Sequence, residues 1–355
     1  MPRTVKAIQM KEEGAKFEVA DLERRDVAPK DVDIDIVGAG ICQSDLHTAY
    51  NEWGGNTMYP LTPGHEIAGI VRAVGKDVTK FKVGDRVGVG CMVDSCRECK
   101  SCFEGDEQYC ENGFTGTYSA KFTRKSHPEH GGITHGGYSQ GIVVDEDFVV
   151  PFPDNLDLVK GAPLLCAGIT TFSPLLHYGL RPNMTLGVAG LGGLGHMAVK
   201  FGVAFGAKVV VLSRGTAKKE DALRIGADQY VDSTDEEAMK KIKGSLNMLC
   251  DTICAQHDMS QFLSLLGKDG KLVLVGASPE PLPVPAFSLL GGRKSVAGSL
   301  IGGIQETADM LAFCGRKNIL PETEVISADK VNEAYERMRK SDVKFRFSID
   351  ISTLK

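Results

Sequence analysis

Leu186-Gly187-Val188-Ala189-Gly190-Leu191-Gly192-Gly193-Leu194-Gly195, running on through His196–Phe205, is the stretch that decides the fold. The apolar run Leu186–Ala189 predicts a strand, and the periodicity of Leu194–Phe205 predicts a helix. Between them stands G-x-G-x-x-G, after a strand and at the opening of a helix. Gly190 permits the tight turn, Gly192 lets backbone approach a pyrophosphate, and Gly195 lets helix pack on strand. The unpaired N–H groups of the helix start face the anion. A bare glycine pattern also fits a structural turn; the flanking strand and helix favour a dinucleotide.

Downstream, strands are expected at Lys208–Leu212, Gln229–Val231, Leu246–Ile253 and Lys271–Gly276, with helices at Lys218–Ile225 and Gln261–Leu266. Strands alternating with helices predict a doubly wound parallel sheet in an α/β chain. The second strand ends at Ser213-Arg214-Gly215-Thr216-Ala217-Lys218-Lys219. An NAD site usually has an acid here for the adenosine ribose. Ser213, Arg214 and Lys218 instead suit a 2′-phosphate, which predicts NADP(H). The lysines also fit the solvated face of a helix.

Upstream, residues 1–150 alternate short β-rich runs with turn signals, as in Val32–Val37, Ile67–Val74 and Asp85–Val89. They predict a mostly antiparallel, barrel-like region. Residues 305–320 and 329–340 read as helices, and Phe345–Ile351 as a strand free to rejoin the first domain. The chain has 355 residues, 42% hydrophobic and 25% charged, which implies two folded domains. Its net charge of −5 gives no attraction for nucleic acid or an anionic membrane. No secretory signal opens the sequence. Gly161–Leu180 is uncharged and long enough to span a bilayer, but Pro163, Pro174 and His177 favour a buried turn and helix.

Ten cysteines without a signal sequence point to metal or catalysis in a cytoplasmic protein. Cys96, Cys99, Cys102 and Cys110 have the spacing of a closed structural zinc site on a loop with little core of its own. The same spacing admits an iron–sulfur cluster. Cys42, His65 and Cys166 form a scattered second set. Two thiolates and an imidazole leave the fourth tetrahedral position open, as a catalytic zinc requires, though residues spread this far make a weak pattern alone.

Taken in order, Gly40-Ile41-Cys42-Gln43-Ser44-Asp45-Leu46-His47, Pro63-Gly64-His65-Glu66, the Cys96–Cys110 lobe, Pro163–Gly168 and Gly190–Gly195 resemble the zinc-containing medium-chain alcohol dehydrogenases. Within that family they resemble the cinnamyl-alcohol-dehydrogenase-like group. Gly88–Cys96 and Gly298–Gly303 look especially like its bacterial NADP-dependent aldehyde reductases. The resemblance implies a GroES-like catalytic domain over 1–157, a Rossmann domain over 158–296 and a C-terminal segment 297–355 returning to the first. The active site would lie in the cleft. It implies two zinc ions per chain, with Cys42, His65 and Cys166 as catalytic ligands, Glu66 as an acid able to enter the shell and Asp45 orienting His65. The cofactor would lie along Leu191, Gly193, Leu194, Val275, Gly276, Ala277 and Ser299 besides the residues above.

The implied chemistry is hydride transfer between NADP(H) and an aldehyde whose oxygen zinc polarises. Ser44 would pass a proton through the nicotinamide ribose, with His47 at the outer end of the relay. Ser44 and His47, three apart, would face one side of a helical turn. Gln43 departs from the basic residue usual in relatives, which puts cofactor grip there in doubt. Trp53, Tyr50, Phe114, Leu165 and Ile301 are candidates for an apolar pocket wall suited to aromatic or aliphatic aldehydes, with Trp53 equally readable as core filler. A polyol dehydrogenase and a non-catalytic NADPH-binding protein remain as alternatives. Relatives are commonly homodimers; Val284–Leu290 would be interface or core.

Overall fold

In a computed structural model, residues 3–122, 124 and 132–355 are described. Two compact units emerge, Met1–Cys166 with Gly302–Lys355, and Ala167–Ile301. The first thus continues past residue 157. The reason is local: a Cβ on Gly38 would lie 2.5 Å from the Cα of Val159, so the segment after 157 lies directly on the strand carrying Gly38.

That strand, Asp31–Ile41, is the centre of the first unit. One edge pairs antiparallel with Ile67–Val74. The other edge is shared. Asp31–Asp35 faces Gly141–Asp145, and Gly38–Ile41 faces the strand Arg346–Asp350. The C-terminal strand therefore does join this unit. The sheet continues through Arg86–Val89 to Val150–Pro151 on one side and to Thr323–Ser327 on the other. All its pairings are antiparallel except the last, Thr323–Ser327 with Arg346–Asp350. Ile34, Ile67, Val87 and Phe347 are fully buried in it.

In the second unit, six parallel strands lie in the order Gln229–Asp232, Lys208–Ser213, Thr185–Ala189, Leu246–Asp251, Leu266–Leu274, Ser295–Gly298. The expected alternation is present, with a further helix Glu236–Lys241 and a sixth strand Ser295–Gly298, and the strand from Leu246 ends at Asp251 rather than Ile253. Leu266 opens a strand rather than ending the helix, which is Met259–Leu265 capped by the Asp258 carboxylate. Val275 and Gly276 leave the strand because both N–H groups turn to the Asp251 carbonyl, at 2.9 and 3.0 Å. The helix expected over 305–320 is Ile304–Lys317, ended by Asn318 in the left-handed region.

Residues 161–175 are buried throughout. Among the described residues no single helix is long and apolar enough to cross a membrane; Leu158–Leu165 and Ala167–His177 are bent by 48° at their junction. The core alternative for Val284–Leu290 fails, since Phe287 and Leu290 are 86% and 69% exposed.

Ile34→Ala, at the middle of the central strand, will cost about 2–5 kcal/mol. Val83→Ala, on an exposed turn, will change stability by less than about 0.5 kcal/mol. Urea denaturation of each variant checks both.

Candidate functional site

The register of the first sheet builds the open metal set. Ala39 pairs with Ile67, and the Gly40 N–H donates to the Glu66 carbonyl at 2.9 Å. Cys42, one residue beyond the strand, therefore lies level with His65 and Glu66. Phe347 pairs with Ile41, which brings Arg346 to the same level. Cys166 arrives on the short turn Ala162–Leu165, with the Leu165 side chain set under Gly88. One ligand atom from each of Cys42, His65, Glu66 and Cys166 lies within 4.8 Å of the others.

The spacing suits zinc. Two sulfurs held 2.3 Å from one ion at a tetrahedral angle stand about 3.8 Å apart, and Cys42 Sγ and Cys166 Sγ are 3.9 Å apart. The Cys166 thiol, as hydrogen-bond donor, pulls Cys42 well below the usual thiol range against its burial, with Arg346 assisting. Burial pushes Glu66 up to about 7, opposed by the Arg346 guanidinium that pairs with its Oε1. Glu66 Oε2 is buried without a hydrogen-bond partner, as suits a carboxylate kept in reserve for a cation.

Asp45 holds the set together. Fully buried, it accepts from Cys42 N–H at 2.8 Å and Gly64 N–H at 3.2 Å, and meets His65 Nδ1 at 3.0 Å. That contact leaves Nε2 of His65 for the metal. Burial, the largest single influence, would depress His65, but the Asp45 charge, the Cys91 sulfur and the hydrogen bonds to Asp45 and Cys42 together raise the group well above its usual value. Tyr138 donates to Asp45 from behind at 3.4 Å.

The helix Gln43–Ala49 starts at Cys42 and carries Ser44 and His47. Ser44 Oγ lies 3.6 Å from Cys42 Sγ. His47 Nδ1 meets Glu52 Oε2 at 2.5 Å, and its ring stacks on Trp53 at 5.2 Å. Trp53 is 54% exposed, so it does not fill the core. Gln43 is exposed at the start of this helix. Tyr50 is half-buried beneath the Arg339 guanidinium, 4.6 Å from its ring, and Phe114 is half-buried. Leu165 is fully enclosed, and Ile301, in the second unit, is nearly so.

The four-cysteine lobe is equally regular. Cys96–Cys102, Cys99–Cys102 and Cys99–Cys110 Sγ atoms are 3.9, 3.5 and 4.0 Å apart. Backbone N–H groups of Cys96 and Glu111 donate to the Cys110 and Cys99 sulfurs. Arg97, between two of the ligands, bonds Asp94, Asp145 and Asp147 and ties the lobe to the sheet.

In the second unit the glycines carry the predicted geometry. Gly190 has φ +86°, and a Cβ on Gly195 would lie 2.0 Å from the Gly190 carbonyl oxygen. A Cβ on Gly192 would meet nothing within 4 Å, so its backbone is open to a ligand. Lys218 Nζ donates to the Leu191 carbonyl at 2.8 Å, which draws the basic loop onto the glycine turn. Burial and the Arg214 charge both lower Lys218. Ser213 ends its strand and Arg214 is exposed beyond it. Val275, Gly276 and Ala277 follow one strand end, and Ser299, bonded through its N–H to the Leu274 carbonyl, follows the next.

Sequence reading missed Arg346, Glu52, Tyr138 and Asp232. Arg346 had a signal, a cation between Phe345 and Phe347 in an apolar alternation. The others are ordinary residues whose partners only the fold supplies.

Two family models match the chain, alcohol dehydrogenase GroES-like domain over residues 28–154 and zinc-binding dehydrogenase over 193–316. An NADP-dependent alcohol dehydrogenase of Mycobacterium bovis is 53% identical over 94% of both chains. A cinnamyl alcohol dehydrogenase structure from Sorghum bicolor is 44% identical over 99% of both chains, with TM-score 0.94. A structure from Helicobacter pylori of the same description, complexed with NADP(H), is 43% identical over the full length of both, with TM-score 0.92.

The purified chain will carry about two zinc ions. Cys166→Ser will lose one and keep the fold, while Cys102→Ser will lose the other and lower the melting temperature. Elemental analysis with thermal melting distinguishes them.

Proposed function

The chain belongs to the zinc-binding alcohol dehydrogenase family, and on that premise we propose that it uses NADP(H) to reduce aromatic and medium aliphatic aldehydes to primary alcohols. The observation that carries the cofactor choice is the end of the strand Lys208–Ser213. No carboxylate stands there; Ser213, Arg214 and Lys218 do. The acid of the neighbouring strand, Asp232, is already committed to Gly215 N–H, Thr234 N–H and the Thr234 hydroxyl. Those bonds all engage Asp232 Oδ1, and a 2′-phosphate at the strand end itself would meet the Ser213 hydroxyl and the Arg214 and Lys218 cations.

Cys42, His65 and Cys166 would hold the zinc of turnover, with Glu66 in reserve, and Cys96, Cys99, Cys102 and Cys110 the structural ion. When bound, zinc supplies Lewis acidity for the substrate oxygen and NADPH supplies the hydride. Ser44, the hydroxyl beside Cys42, gives a proton to the product oxygen. A hydroxyl suits the place because it donates and accepts in one step. His47 resupplies Ser44 from the solvent side. With Nδ1 held by Glu52, its Nε2 is the nitrogen that exchanges protons. Trp53, stacked on that ring, offers an apolar rim to the substrate.

Exposed Val284, Phe287 and Leu290 beside the sheet-edge strand Ser295–Gly298 suit a second copy of the chain, hence a homodimer. Six of the ten cysteines stand in the two metal sets, a chemistry suited to the reducing cytoplasm.

Cinnamaldehyde or benzaldehyde will be reduced rapidly with NADPH and poorly with NADH; the reverse preference would refute the 2′-phosphate reading. Arg214→Asp will weaken NADPH by about 1.5–3 kcal/mol, read by fluorescence titration. Ser44→Ala will lower kcat by about 10²–10⁴-fold with the zinc content unchanged.

A further inference from the structure

Buried Asp251 and half-buried His257 form a pair that nothing in the chemistry above uses. Asp251 is the last residue of the strand Leu246–Asp251, fully buried, and in register with Ala189, the residue before Gly190. Its Oδ1 accepts from Ile253 N–H at 3.0 Å, and its Oδ2 lies 2.8 Å from His257 Nε2. His257 Nδ1 lies 2.8 Å from the Ala255 carbonyl oxygen. A carbonyl only accepts, so Nδ1 carries a proton, and Nε2 and the carboxylate share another. The ring packs edge-on against Phe262 at 5.3 Å. A carboxylate withdrawn from water is costly unless its oxygens are bonded, and here both are.

What the pair closes is the loop 252–257. Thr252 Oγ1 donates to the carbonyls of Ala189 at 2.8 Å and Gly190 at 3.2 Å. A Cβ on Gly190 would stand 2.8 Å from that hydroxyl, and one on Gly276 only 2.5 Å from the Ile253 carbonyl oxygen. The loop is thus wedged between the glycine turn and the segment 275–277, the two places assigned to the dinucleotide. The Asp251 carbonyl also accepts the N–H groups of Val275 and Gly276.

We propose that His257 is a positioning residue for the cofactor. By clasping Asp251 and the Ala255 carbonyl it holds the loop 252–257 against both walls of the dinucleotide site, and so sets the affinity for NADPH. This rests on the NADP(H) reading above. His257 contributes no proton to the reaction, so its removal acts on binding and not on the chemical step.

The test compares wild type, His257→Met, which keeps the volume but has no ring donors, and His257→Gln, whose amide N–H can still reach Asp251. NADPH affinity is read by fluorescence titration, kcat at saturating NADPH, and the fold by thermal melting. His257→Met will bind NADPH about tenfold more weakly, with kcat within about twofold of wild type, and His257→Gln will recover most of the affinity. A His257→Met affinity equal to wild type overturns the inference. So does a loss of kcat as large as the loss of affinity, or a glutamine variant no better than the methionine one. If wild type itself takes up no NADPH, the cofactor reading falls and this inference with it; NADPH uptake by wild type with no change in the variants removes the inference alone.

Discussion

The hydrogen bond from Gly40 N–H to the Glu66 carbonyl is the constraint on which the first unit's site depends. It closes the pairing of the central strand with its neighbour just where both chains leave the sheet. A Cβ at residue 40 would fall 1.9 Å from Glu66 Oε2, so glycine here leaves room for the buried Glu66 carboxylate. Slipping the register by one residue would reverse the faces on which Cys42, His65 and Arg346 stand. The ligand geometry is therefore a by-product of backbone pairing, and the buried residues along Asp31–Ile41 secure it at a distance from the metal.

The two metal sets solve opposite problems. The lobe Cys96–Cys110 is local. Its sulfurs lie within fifteen residues, and an ion gathers a segment that has little apolar core of its own. Arg97, in the left-handed region at φ 63°, then anchors it through three carboxylates. The other set is assembled from residues 124 positions apart, Cys42 to Cys166. There the fold brings the ligands together and Asp45 aims the imidazole, so the ion need not pull them into place.

What was legible in the sequence was what is local. The glycine turn, the cysteine spacing and the strand–helix alternation all declare themselves within windows of fewer than about 20 residues. The donor set Cys42, His65, Cys166 was legible only through its resemblance to a family, since no periodicity links such distant positions. Arg346 against Glu66 spans 280 residues, and no rule of local pattern chooses that partner. The strand Thr323–Ser327 escaped notice because it is short and half-exposed at a sheet edge, where alternation is weakest. Val284–Leu290 shows the converse: its composition fits interface or core alike, and only its exposure decides against core.

The strand Arg346–Asp350, lodged beside Gly38–Ile41, bears on the order in which the molecule is made. A ribosome delivers the central strand early, yet the edge near Cys42 lacks its neighbour until the second unit has been made. The second unit, contiguous from Ala167 to Ile301, meets no such delay and can close while synthesis continues. The nascent first unit thus carries an unpaired strand edge beside Cys42 until Arg346–Asp350 is made, whereas the Cys96–Cys110 lobe, local in sequence, needs no late segment to close. Arg346, the guanidinium that pairs with Glu66, arrives on that strand, so the set Cys42, His65, Glu66 and Cys166 gains its cation only after the second unit has been made.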